Sequence, residues 1–215
     1  AEALRDKGSR LIPRSGAALP ELRRLIEETG ARAVYWMRAY DPLSVERDSD
    51  VKSALKDEGI EVESFPGHVL FEPWTVETKT GGYYKVYTPF SRSWFDVEKP
   101  QAVNTVRTIH TLTTIRKGSV PSVSDWGLEY DGKLLREPGE KEARKRLKRA
   151  IDVVIDEYEG MRNDPAADAT SHLGADLRYG TLSPREVFHR AEEARNASRS
   201  DSIRSSIHTF QKQLA

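Results

Sequence analysis

Cysteine is absent from the 215 residues, which excludes disulfides, thiolate catalysis and cysteine-ligated metal and fits a reducing compartment. An excess of either charge is missing too. The 34 Lys and Arg match 34 Asp and Glu, so no global basic field exists and DNA binding would have to rest on local patches. No run approaches the roughly 18 apolar residues of a membrane span. The charged stretch from Ala1 to Arg10 also lacks the apolar centre of a signal peptide, so a cytoplasmic protein without membrane attachment is expected. His68, His110, His172, His189 and His208 show no metal-ligand spacing, and no metal site is expected. Trp36, Trp74, Trp94 and Trp126 are scattered and read as core or surface. There is no phosphate-loop lysine, nucleophile elbow or dinucleotide glycine fingerprint.

What is present is an ordinary globular composition: 37% hydrophobic residues to build a core and 32% charged residues to solvate it. The length fits one α/β unit plus part of a second. From Ser9 to Phe65, short apolar runs alternate with amphipathic helices. Residues 10–12 (Arg10, Leu11, Ile12) read as a strand. Leu19, Leu22, Leu25 and Ile26 share one face of a helix that Gly30 can end in a left-handed cap. Ala33 to Trp36 is a second strand. A helix over about Ser44 to Glu58 sets Val51 and Leu55 four apart, and Glu61 to Phe65 alternates like a further strand. Right-handed crossovers would make these strands parallel.

Residues 72–88 depart from this pattern and read as two short extended pieces about a turn at Thr80, Gly81 and Gly82, with a helix start at Thr88 and Pro89. Between Gln101 and Glu140 periodicity fades while Gly118, Pro121, Gly127, Gly132, Pro138 and Gly139 accumulate, as in an interdomain connection. The expected division is an antenna-type α/β domain at 1–100, a linker at 101–140 and a helical part at 141–215. The last part reads as a charged helix from Lys141 to about Gly160, a turn at Asn163, Asp164 and Pro165, and a loop to Leu182. A further helix follows, with Ser183 as N-cap, Pro184 at its first position and Glu186 completing a capping box.

Three ordered segments carry a resemblance that periodicity does not supply. The first runs from Ala33 through Trp36, Arg38 and Tyr40 to Pro42 and continues through Glu46, Arg47 and Asp48 to Val51, Ala54 and Leu55. The second is Tyr84, Lys85, Val86, Tyr87, Thr88, Pro89 and Phe90, followed by Trp94. The third comprises Tyr158, Glu159, Arg162 and Pro165, then Thr170, Ser171 and Leu173, then Leu177 to Gly180 and Leu182 to Arg185. Together they resemble DNA photolyases and cryptochromes, in particular class I-like bacterial deoxyribodipyrimidine photolyases, with truncation at both ends. The fold class implied is α/β: a Rossmann-like parallel-sheet antenna domain lacking its first strand, a linker, and the first helices of an all-α FAD-binding domain.

The activity implied by the resemblance is blue-light-driven splitting of cyclobutane pyrimidine dimers in DNA, by electron transfer from a fully reduced flavin to a dimer flipped out of the duplex. The cofactor is FAD, the partner is DNA containing pyrimidine dimers, and the intact protein is monomeric. A cryptochrome-type photoreceptor is the alternative, and the chain by itself is expected to be inactive. Family motifs map Tyr158, Thr170, Ser171, His172, Leu173, Gly174 and Phe210 onto cofactor-binding positions. Hydroxyls and free backbone N–H groups there suit phosphate oxygens, although Thr170 and Ser171 alone would read as turn or cap residues. His172 and Gly174 replace the arginine and serine common at those positions. The resemblance maps Arg162 to a DNA-backbone contact and Gln213 to a contact with the flipped bases. Pairing of Arg162 within its own helix, with Tyr158, Glu159 or Asp164, is an equal alternative. No catalytic side chain falls in this stretch.

The run Lys141, Arg144, Lys145, Arg146, Lys148 and Arg149 reads as a solvated helix face. Folate-binding relatives carry Asn-Glu where this chain has Leu43 and Ser44, so a folate antenna is not expected; a deazaflavin, a flavin or no antenna chromophore stays open. Helices cut from a larger bundle should expose Val153, Val154, Val187, Phe188, Ile203, Ile207 and Phe210 and favour aggregation.

Overall fold

The computed structural model describes residues 2–112, 114, 115, 118, 124–127 and 136–215. They divide into two units, one of residues 1–65 with 104–134 and the other of residues 66–103 with 135–215. In the first, α1 (Glu2–Arg5) precedes α2 (Ala18–Thr29), which ends at Gly30 with φ +66°, the left-handed cap its sequence predicts. Strand β1 (Ala33–Met37) leads into α3 (Pro42–Asp57). There Asp41 caps the first turn by accepting from the Ser44 N–H at 2.9 Å, and Pro42 needs no donor. Strand β2 (Glu61–Phe65) then pairs parallel to β1, from Ala33 opposite Glu61 to Met37 opposite Phe65.

The two-residue period of the strands decides what each face does. Val34, Trp36 and Val62 meet Leu19, Leu22 and Ile26 of α2 and Val51 and Leu55 of α3 in one core. Tyr35, Met37 and Phe65 belong to the opposite face and are 54%, 58% and 49% exposed. Among the described residues the sheet has two strands. The strand expected at Arg10, Leu11 and Ile12 is irregular chain instead. Its neighbourhood is held by separate bonds: Ile109 N–H to the Lys7 carbonyl (2.8 Å), Arg10 Nη2 to the Ile115 carbonyl (2.8 Å) and Gly118 N–H to the Pro13 carbonyl (2.9 Å). Pro13 has no N–H with which to extend a ladder. A β-carbon at Gly118 would lie 2.9 Å from the Pro13 oxygen, so the approach requires glycine.

In the second unit the expected extended pieces at 72–88 are replaced by a 3-10 turn at Pro73–Thr75 and a tight turn in which the Thr78 N–H and hydroxyl donate to the Gly82 and Gly81 carbonyls (3.0 and 2.6 Å). Helix α4 (Tyr87–Asp96) buries Trp94 against Leu70, Val76 and Phe188. The single helix expected from Lys141 to Gly160 is three pieces: α5 (Glu140–Arg149), a π-helical turn (Ala150–Val154) and α6 (Tyr158–Met161). The π turn closes with the Ile155 N–H on the Ala150 carbonyl at 3.0 Å, and both Val154 and Ile155 face the core. The loop expected up to Leu182 holds a further short helix, α7 (Gly174–Arg178).

Ser183 caps α8 (Pro184–Ala197) as expected, accepting from the Arg185 N–H at 3.3 Å. Glu186 does not close a capping box. It faces Arg144, whose Nε donates to it at 3.3 Å. Helix α9 (Asp201–Gln211) completes the unit. The apolar faces expected to lie open are covered by one another: Val154, Val187, Phe188, Ile207 and Phe210 are all buried and Ile203 partly so, leaving Val153 exposed. Side chains of α5, the π turn, α6, α8 and α9 and the segment around Leu173 and Leu182 make up this core.

Candidate functional site

Tyr158, Leu173 and Phe210, predicted as cofactor-binding residues, lie in one hydrophobic cluster at 7%, 1% and 3% exposure. The Tyr158 and Phe210 rings meet edge to face with centroids 5.4 Å apart. Helix α6 is held to α9 beside them: the Ser206 hydroxyl accepts from the Glu159 N–H (2.9 Å) and the Thr209 hydroxyl donates to Glu159 Oε1 (3.1 Å). Hydroxyls of Ser205 and Thr209 keep the Glu159 carboxyl below its ordinary pKa. Burial pushes the Tyr158 phenol up, against the charge and hydrogen bond of Arg162.

Thr170, Ser171 and His172 form the segment before Leu173, and His172 has φ +56°. Its carbonyl accepts from Arg136 Nη1 at 2.9 Å and its Nδ1 from Arg136 Nη2 at 2.8 Å. A guanidinium can only donate, so Nδ1 is the acceptor nitrogen and Nε2 carries the hydrogen given to Asp168 Oδ1 at 2.5 Å. Asp168 also receives Arg149 Nη2 at 2.6 Å. The bond from His172, then the charges of Arg149 and Arg136, hold its carboxyl below the usual range. Thr170 Oγ1 lies 3.3 Å from His172 Nδ1. Ser171 and His172 border a cleft of about 500 Å³ with Arg136, Arg146, Arg149 and Asp168. Gly174 opens α7, and no heavy atom lies within 4 Å of where its β-carbon would stand.

Arg162 and Gln213, the predicted DNA contacts, come together elsewhere in this unit, at a cleft of about 620 Å³ that Tyr87, Glu159, Thr209 and Lys212 also line. Tyr87 donates its hydroxyl to the Lys212 carbonyl at 2.8 Å. Arg162 Nε is buried without a hydrogen-bond partner, while Gln213 is exposed, with its amide 3.5 Å from the Thr209 carbonyl. The predicted residues therefore fall into three groups: a core of Tyr158, Leu173 and Phe210, a charged cleft at Ser171 and His172, and a second cleft at Arg162 and Gln213.

Sequence reasoning passed over Arg136, Asp168 and Asp176, and it assigned Arg146 and Arg149 to a solvated face. Arg146 instead gives both forks of its guanidinium to Asp176 (2.8 and 2.7 Å), and Arg149 reaches Asp168. The spacing of Arg146 and Arg149, three apart on α5, was the available signal that they share a side of the helix.

The sequence pattern of the DNA photolyase family matches residues 1–107. A deoxyribodipyrimidine photo-lyase of Agrobacterium fabrum is 37% identical over 195 residues, covering 87% of this chain and 40% of the relative. Cryptochrome-1 of Arabidopsis thaliana is 30% identical over 196 residues, covering 87% of this chain and 28% of the relative. The crystal structure of a bacterial class III photolyase from Agrobacterium tumefaciens superimposes with a TM-score of 0.88 at 34% identity, over 99% of this chain and 45% of that one. The chain thus spans less than half the length of each of these three. The matched fold, the family pattern and relatives at 30–37% identity agree: the chain belongs to the DNA photolyase and cryptochrome family.

Proposed function

We propose that this chain supplies one wall of an FAD site in a blue-light-driven DNA photolyase that splits cyclobutane pyrimidine dimers by electron transfer. The observation that carries the reading is the segment 168–173, in which Ser171 borders a cleft shared with three guanidinium groups while Leu173 anchors the segment in the core that holds Tyr158. The hydroxyls of Thr170 and Ser171 suit a diphosphate, while the guanidinium groups of Arg136, Arg146 and Arg149 stand among the carboxylates of Glu137, Glu142 and Asp168 and keep the cleft from repelling an anion. When bound, the reduced flavin supplies light absorption and the transferred electron.

The chain's own residues do the rest. Thr170 and Ser171 donate to phosphate oxygens, and the packed rings of Tyr158 and Phe210 keep water from that side of the site. Arg162, which bonds Tyr158 within its own segment, also lines the cleft beside Gln213 and would meet the DNA backbone from there, and the exposed Gln213 amide is available to the bases of the flipped dimer. Leu43 and Ser44 speak against a folate antenna and leave a deazaflavin, a flavin or none, the working compartment is the cytoplasm, and the protein acts as a monomer. A cryptochrome-type photoreceptor is the second reading, favoured by the 30% identity to a plant cryptochrome.

The test is an absorption spectrum of the purified chain after incubation with FAD and desalting. Retained flavin that falls about tenfold in affinity in a Thr170→Val, Ser171→Ala variant supports the site; a colourless wild-type eluate rejects it. Light-dependent loss of thymine dimers from an oligonucleotide, measured on the protein of the whole reading frame, separates the photolyase from the photoreceptor.

A further inference from the structure

We propose that Arg136 is a positioning residue, which holds His172 in its left-handed backbone conformation and thereby sets the direction in which Thr170 and Ser171 present their hydroxyls. That those hydroxyls meet a diphosphate rests on the flavin reading; how the loop is held rests on geometry alone. His172 is the one non-glycine residue with positive φ among the described residues. A β-carbon disfavours that region, so the conformation persists only where the surroundings determine it.

Arg136 supplies that determination with a single planar group. One Nη donates to the His172 carbonyl and the other to the ring nitrogen of the same residue, which fixes the peptide direction and the imidazole together. The far side of the ring is tied to Asp168, which Arg149 holds in turn. Leu173 is sunk in the core directly after His172. The loop is therefore pinned at residues 168, 172 and 173, with Thr170 and Ser171 carried between the pins. Arg146 does not share this task, because both forks of its guanidinium are committed to Asp176.

Glycine adopts positive φ without strain, and this allows a decisive cycle of Arg136→Ala, His172→Gly and the double variant. Loop geometry is read without flavin, from the backbone carbon shifts of His172 and the amide exchange of residues 168–173 by NMR. FAD affinity is read by fluorescence, and thermal melting checks that each variant folds. R136A should abolish the left-handed signature of His172 and weaken FAD binding about tenfold with little change in melting. In the H172G background the same substitution should cost less than about twofold.

The proposal is overturned if R136A leaves the His172 signature and the affinity unchanged. An equal loss of affinity with and without H172G also overturns it, because Arg136 would then be a direct contact. If the wild-type chain takes up no FAD, the flavin reading fails by itself, and the His172 signature decides the matter: its loss in R136A supports the positioning role and its retention rejects it.

Discussion

Asp176 shows how one carboxylate ties down a whole segment. It is 7% exposed, receives both forks of Arg146, and accepts from the Thr181 hydroxyl at 3.0 Å. The bond from Arg146, reinforced by Thr181, holds its carboxyl below the ordinary aspartate range against the opposing effect of burial. A carboxylate with a depressed folded-state pKa stabilises the fold fully above its unfolded value, roughly pH 4, and that contribution is lost as pH falls through the folded pKa. Asp176→Asn leaves the Arg146 guanidinium partly buried with its charge unpaired, and should cost about 2–3 kcal/mol at neutral pH. Urea melts should also show a shallower fall in stability below about pH 4 for the variant than for the wild type. Equal acid slopes would remove Asp176 from the account. This pair is invisible to sequence reading because its members lie 30 residues apart. Arg136 and His172 are 36 apart and hidden for the same reason. Thr170, Ser171 and Leu173 could be singled out from sequence because they lie within four residues of one another.

Elements whose signals are local were legible in the same way. Ser183 with Pro184, and Gly30, each mark a helix end within a few residues, and the structure places the ends there; Asp41 and Pro42 carry the same local signal, yet the helix they open was expected only from about Ser44. The π turn after Arg149 was not legible, because the spacing of Ala143, Leu147, Ala150, Val154 and Tyr158 fits an unbroken helix equally well. Nor was the termination of α4, which depends on a lysine beyond its end. The Lys99 ammonium donates to the Trp94, Phe95 and Val97 carbonyls and lies 4.4 Å from the Trp94 ring centroid, with Phe71 and Phe188 also against it.

Burial lowers the Lys99 pKa to about 8, against the charges of Asp96 and Glu192. The unfolded chain therefore binds the proton more tightly than the folded one, and stability should rise with pH between about 8 and the ordinary lysine value of 10.5. Lys99→Met removes that rise while keeping the apolar stem in its cage of rings. Thermal melts of both proteins across this range check the sign; a wild-type stability that falls toward alkaline pH would show that the ring and carbonyl contacts outweigh desolvation.

At the scale of the whole molecule, what sequence could not show is which stretches share a core. Residues 66–103 follow the α/β segment in the chain, yet Leu70, Val76 and Trp94 pack with Phe188. Each unit has its own apolar interior and hence its own cooperativity. The interiors are unequal: the cluster in the first unit has Val51, Leu55 and Val62 buried, whereas the main cluster of the second unites side chains from α5, the π turn, α6, α8 and α9 and the segments around Leu173 and Leu182. Parallel sheets are ordinarily covered on both faces, and the sheet face carrying Tyr35, Met37 and Phe65 contributes no such burial. The first unit should therefore unfold at lower urea than the second. Leu55→Ala and Ile207→Ala, both at fully buried positions, should each cost about 2–5 kcal/mol, the first lowering only the early transition and the second only the late one. Hydrogen exchange in increasing urea, followed separately for β1 and for α9, distinguishes the two events. A single transition lowered by both substitutions would mean that the two interiors unfold as one.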